Sequence, residues 1–116
     1  MPKTLYTIYV VELSKRVFTA NAKFRKANPH YHGVLECLYV GMTSKTPKER
    51  FMQHKTGHRS KKGYKIASKI VETYGTYLRP SLYNHIDPFF TRTEALKAEE
   101  QIALELRREG YAVWSN

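Results

Sequence analysis

The residues that could do chemistry in this 116-residue chain cluster by type and spacing. Arg50, His54 and His58 are spaced i, i+4, i+8. On a helix Arg50 and His54 share one face, with His58 near it. An arginine and an imidazole in line can grip a phosphate and handle a proton, although the same pattern also suits a solvated basic face. The His54/His58 pair has metal-ligand spacing, but the glutamate of an HExxH site is missing. His30-x-His32 with Cys37 is a still weaker ligand set and reads as loop and strand residues. Glu99 falls inside an apolar stripe of Ala95, Leu96, Ile102, Ala103 and Leu106. A carboxylate facing a core is costly unless it is paired or holds a metal. At the edge of the stripe it would instead salt-bridge a surface lysine. Tyrosine is over-used, with nine residues, of which Tyr9 and Tyr39 lie within strand-like runs. A buried phenol usually just hydrogen-bonds its hydroxyl. Beside an arginine helix and a carboxylate it can also shuttle a proton or attack phosphorus.

These groups need elements to hold them. Residues 5–13 (LYTIYVVEL) and 34–41 (VLECLYVG) are rich in β-branched and aromatic side chains and read as strands. If they pair, Tyr9 and Tyr39 converge. Residues 14–33 are an insertion between them, loosely helical over 15–27 until Asn28-Pro29 breaks the pattern. Thr46-Pro47-Lys48-Glu49 is a capping box with proline at the first helical position. It predicts a helix over 47–56 ended by Gly57, then a basic loop over 58–63. A second helix is expected over 64–74, ended by Gly75. Residues 78–86 suggest an edge strand interrupted by Pro80. Thr91 or Thr93 caps a last helix reaching Glu109, with Gly110 just past its end, and residues 111–116 form a short aromatic tail. The expected fold is a single α/β (α+β) domain over 1–116, with helices on a small, mostly antiparallel sheet.

Composition narrows the function. Hydrophobic residues are 41% and charged residues 26%, an ordinary globular balance. No apolar run approaches the roughly 20 residues of a membrane helix, and the first residues lack the apolar stretch of a signal peptide. The single cysteine excludes an internal disulfide and fits a reducing, cytoplasmic setting. The net charge is +10. From Lys45 to Lys69 nine basic residues face one acid, Glu49, whereas residues 93–116 are net −2. A polyanion would be held along that middle block, through Lys45, Lys48, Lys55, Arg59, Lys61, Lys62 and Lys65.

Taken in order, these segments resemble a known family. Thr7-Ile8-Tyr9 and Tyr39-Val40-Gly41 are similar to the two motifs that name the GIY-YIG nuclease superfamily. Gly41-Met42-Thr43-Ser44, Glu49-Arg50-Phe51-x-x-His54, Glu99 and the last residue, Asn116, continue the likeness along essentially the whole chain. The resemblance implies a three-stranded, largely antiparallel sheet flanked by helices and metal-dependent hydrolysis of phosphodiesters in DNA. By that likeness Tyr9 and Tyr39 line the site, with Tyr9 deprotonating or orienting the attacking water. Arg50 holds the scissile phosphate, and His54 lies near the nucleophile. Glu99 is the one protein ligand of a divalent ion, Mg²⁺ or Mn²⁺, and Asn116 helps shape the site. One carboxylate suffices for a hard cation that keeps its waters. Thr7 stands where the first motif has glycine, and the 14–33 insertion with Lys15, Arg16, Lys23, Arg25 and Lys26 is extra length, readable as a lid or a substrate-contacting appendage. The competing expectation is a catalytically silent module of the same fold that binds DNA or RNA. No helix-turn-helix or zinc-finger pattern supplies sequence specificity, which leaves strand-type preference or a protein partner to supply it.

Overall fold

The computed structural model describes residues 4–56 and 69–115. The two runs of β-branched and aromatic residues form the centre of one sheet. Strand β1 is Thr7–Leu13 and β2 is Cys37–Thr43, antiparallel, with Tyr9 opposite Gly41 and Val11 opposite Tyr39. Both strands are buried along nearly their whole length, so both faces of the sheet are covered. Between them lie two short helices, α1 (Arg16–Ala20) and α2 (Ala22–Ala27). The single helix expected over 15–27 is broken at Asn21, whose backbone is extended and whose side chain caps α2 by accepting from the Phe24 N–H.

Helix α3 (Pro47–Lys55) starts as the sequence predicts. Thr46 Oγ1 accepts from Glu49 N–H at 3.1 Å and donates to Glu49 Oε1 at 3.0 Å. Helix α4 is described over Lys69–Tyr74 and passes directly into β3, Gly75–Leu78. Two expectations are corrected here. Gly75 begins a strand and does not merely end a helix, and the third strand stops at Leu78. Pro80 has no N–H to continue a ladder, so residues 80–82 turn as a 3₁₀ helix. Helix α5 (Arg92–Glu109) is capped by Thr91, not Thr93, and ends at Gly110 in the left-handed conformation. The expected terminator Gly57 and the basic loop with His58 lie outside the described residues.

The largest correction is at the C-terminus. Residues Ala112–Ser115 are strand β4, parallel to β2, with Ala112 opposite Cys37 and Ser115 opposite Val40. The sheet has four strands in the order β3-β1-β2-β4, not three. β4 is an edge strand, and the insertion closes it. Asn28, 4% exposed, accepts at Oδ1 from the Val113 N–H (2.7 Å) and donates from Nδ2 to the Val113 carbonyl (3.0 Å). Its amide thus satisfies both backbone groups of Val113 on the outer side of the sheet. Arg107 braces it, donating to Asn28 Oδ1 and to the same carbonyl. Val17 and Phe24 of the insertion are fully buried in the core, so the segment is part of the packed body. No described helix is long and apolar enough to cross a membrane.

Candidate active site

Register places Tyr9 and Tyr39 on the same face of the sheet, diagonal across the β1–β2 pair. Their rings have centroids 6.1 Å apart and converge over Gly41. A Cβ at position 41 would lie 2.6 Å from the Tyr9 hydroxyl and 2.9 Å from Tyr39 Cε1. Only glycine leaves room for both phenols, which is a packing reason for that motif glycine. Thr7 sits in regular strand opposite Thr43, and no non-glycine residue among those described has a positive φ. The backbone at position 7 therefore does not call for glycine.

Helix α3 brings His54 onto this pair. Its ring lies 5.5 Å from that of Tyr39, and its Nε2 is 2.7 Å from the Tyr9 hydroxyl. Burial, with the nearby Arg50 charge, pushes His54 down from 6.5 to about 4, so the imidazole is neutral at ordinary pH. Burial, then Tyr39, raises the Tyr9 phenol far above its usual range, and Arg50 pulls the other way. A neutral phenol thus meets a neutral imidazole. In the tautomer that carries its proton on Nδ1, His54 accepts the Tyr9 O–H at Nε2.

Arg50, one turn before His54, is half-buried, and its Nη1 donates to Gln53 Oε1 at 3.0 Å. Glu99 is 2% exposed on α5, on a buried face with Ala95, Ala103 and Leu106. Leu96, expected on that face, is 40% exposed, whereas Glu99 lies within the buried face and not at its edge. The charges of Arg50 and Glu99 are both felt at the Tyr9 hydroxyl, in opposite senses. Tyr9, Tyr39 and His54 therefore form one cluster, with Arg50 one turn away on α3 and Glu99 raising the Tyr9 phenol by its charge. Asn116 lies outside the described residues.

Among the described residues no three His, Cys, Asp or Glu side chains converge as a metal site, which leaves His30, His32 and Cys37 unassembled. Burial pushes the Cys37 thiol up. A cation at the Tyr9 neighbourhood would rest on Glu99 alone among these side chains. A carboxylate oxygen is the donor a hard ion prefers, so the residue fits Mg²⁺ or Mn²⁺ better than zinc.

The basic residues divide. Lys45 and Lys48 are exposed at the start of α3, and Arg59, Lys61, Lys62 and Lys65 lie outside the described residues. Lys55 is exposed too, but its ammonium donates to the Glu72 and Gly75 carbonyls at 3.2 and 2.8 Å, tying α3 to α4 and β3. Sequence reasoning missed Tyr6, Gln53 and Arg92, which line a cleft with Arg50. Gln53 was findable, three residues from Arg50 on the same helix face, but nothing local marks Arg92. No family model, curated protein or solved structure matches the chain.

Proposed function

We propose that the protein is a metal-dependent endonuclease that hydrolyses phosphodiester bonds in DNA through a GIY-YIG-type site. The observation that carries the reading is the 2.7 Å Tyr9–His54 contact in a neighbourhood shared with Tyr39, Arg50 and the buried Glu99. Arg50 enters the cleft and offers a guanidinium to the scissile phosphate. A water aimed at phosphorus gives its proton to the Tyr9 oxygen while Tyr9 passes its own proton to His54 Nε2. The relay avoids a free phenolate, which burial disfavours. The water oxygen forms the new P–O bond as the bond to the leaving oxygen breaks. Glu99 would hold the divalent ion, which when bound supplies positive charge to the leaving oxygen. Tyr39 packs against both relay rings and fixes their orientation.

A second reading has its own support. Tyr9, Tyr39 and His54 are each at most 1% exposed, which suits a core cluster in a catalytically silent, basic DNA- or RNA-binding module. A cleavage panel separates the two: purified protein with Mg²⁺ or Mn²⁺, on single-stranded, duplex and branched DNA and on RNA. Nicking by the unsubstituted chain, lost in Glu99→Gln, is the expected result. Binding with no cleavage of any form would overturn the nuclease in favour of the module.

A further inference from the structure

The cleft beside Arg50 carries more positive charge than one phosphate needs. Arg50 enters it from α3, Lys45 from the β2–α3 connection and Arg92 from the first residue of α5. Tyr6, Ser44 and Gln53 add polar groups, and among the described residues no acidic side chain lines it. An anion seated in the cleft meets Lys45 and Arg92 as well as the Arg50 side, and their positive charges attract it.

Specific backbone contacts build this arrangement. Tyr6 and Phe89 exchange both main-chain hydrogen bonds, at 2.9 and 2.8 Å, which draws the start of β1 to the segment entering α5. Arg92 reaches the cleft wall as a result. The Lys45 N–H donates to Thr43 Oγ1 at 3.0 Å and fixes the turn that carries the lysine. Gln53 holds the Arg50 guanidinium from the same helix. The cleft encloses about 260 Å³, below the roughly 300–1,000 Å³ of sites that engulf a drug-sized ligand. That volume suits a phosphate with its sugar, not a whole free cofactor.

Resting on the endonuclease reading for its substrate class, we infer that this cleft is a second backbone-phosphate subsite, in which Arg92 and Lys45 grip the phosphate next to the one that Arg50 presents. The two residues hold the strand in register with the relay and contribute no group to the bond-breaking step.

The test is binding of a labelled duplex oligonucleotide, read by fluorescence anisotropy across a series of salt concentrations. It is run with the Glu99→Gln protein in Mg²⁺ and with the unsubstituted protein in EDTA, so that misfolding of one variant does not decide the outcome. Arg92→Ala and Lys45→Ala are each expected to weaken binding about tenfold and to reduce the slope of log K against log salt by about 0.9, one phosphate contact each. Arg108→Ala, at an exposed position in the last turn of α5 outside the cleft, is the control and should leave the slope unchanged. Slope changes as expected, with no cleavage by the unsubstituted protein, would keep the subsite and remove the nuclease. Cleavage with unchanged slopes in both variants would remove the subsite and keep the nuclease. No binding of DNA by any form would overturn the subsite as well.

Discussion

The Tyr9 hydroxyl lies 2.7 Å from Nε2 of His54, and neither ring is open to solvent. Burial sets the protonation of both partners in advance: it holds the phenol protonated and the imidazole neutral. A cationic imidazole could only donate to the phenolic oxygen, so transfer of the phenolic proton to His54 requires the neutral ring. The pair is at once a packing unit and the proton path of the proposed reaction, and different measurements report on each role.

Stability should fall as pH is lowered from 6.5 towards 4. In that window the unfolded histidine, near 6.5, takes up a proton that folded His54, at about 4, does not. The unfolded state then binds more protons, so acid favours unfolding, by up to about 3 kcal/mol across the window. Below pH 4 this contribution stops changing, and above 6.5 it is absent. Urea unfolding at several pH values checks it. The difference in pH slope between the unsubstituted protein and His54→Gln should match this sign, and equal slopes would refute it.

Gly41→Ala should destabilise the fold by roughly 1–3 kcal/mol, the usual cost of overpacking a closed core. The added methyl meets the Tyr9 hydroxyl at 2.6 Å and the Tyr39 ring at 2.9 Å, and both rings are buried. Chemical denaturation measures the loss. A Tyr9→Phe protein should fold with a smaller penalty and show at least about a hundredfold lower kcat if the relay carries the proton.

Glu99→Gln should abolish cleavage, a loss of at least about a thousandfold, while leaving DNA affinity within a few-fold. Retained cleavage would exclude Glu99 as the metal-holding residue.

Arg50→Ala should lower kcat more than affinity, because Lys45, Arg92 and other basic groups also hold the backbone. Single-turnover kinetics beside direct binding separate the two effects. Equal losses in both would assign Arg50 to uniform binding.

Asn28→Ala should cost about 2–3 kcal/mol, since it leaves the Val113 N–H and a bond to its carbonyl unmade in a buried place. Thermal unfolding reads the loss. A change below about 0.5 kcal/mol would mean that the amide contributes little at this edge, since Arg107 can serve only the carbonyl.

The sequence made some of these relationships visible because they are local. Thr46 and Thr91 announce their helices through side chains that reach residues three positions on. The runs at β1 and β2 are long enough for their β-branched and aromatic content to speak, and a carboxylate at 99 among apolar neighbours marks a buried position. Features made by distant partners were silent. β4 is four residues whose ladder is supplied wholly by β2, and so short a stretch carries no periodicity. Lys55 is as exposed as its basic neighbours, and only the fold shows that α4 and β3 place two carbonyls before its ammonium. Arg92 joins Arg50 only because Tyr6 and Phe89 bridge two segments far apart in the chain. Asn28 read as a helix breaker, and its clasp on Val113 spans most of the sequence.

That clasp also occupies the free edge of the sheet. An open sheet margin is a template on which a second chain can add a strand, and a single side-chain amide here fills the two backbone positions such an intruder would use at Val113. Asn28→Ala would bare the Val113 positions of this margin, and the failing would show as concentration-dependent self-association at unchanged helix content.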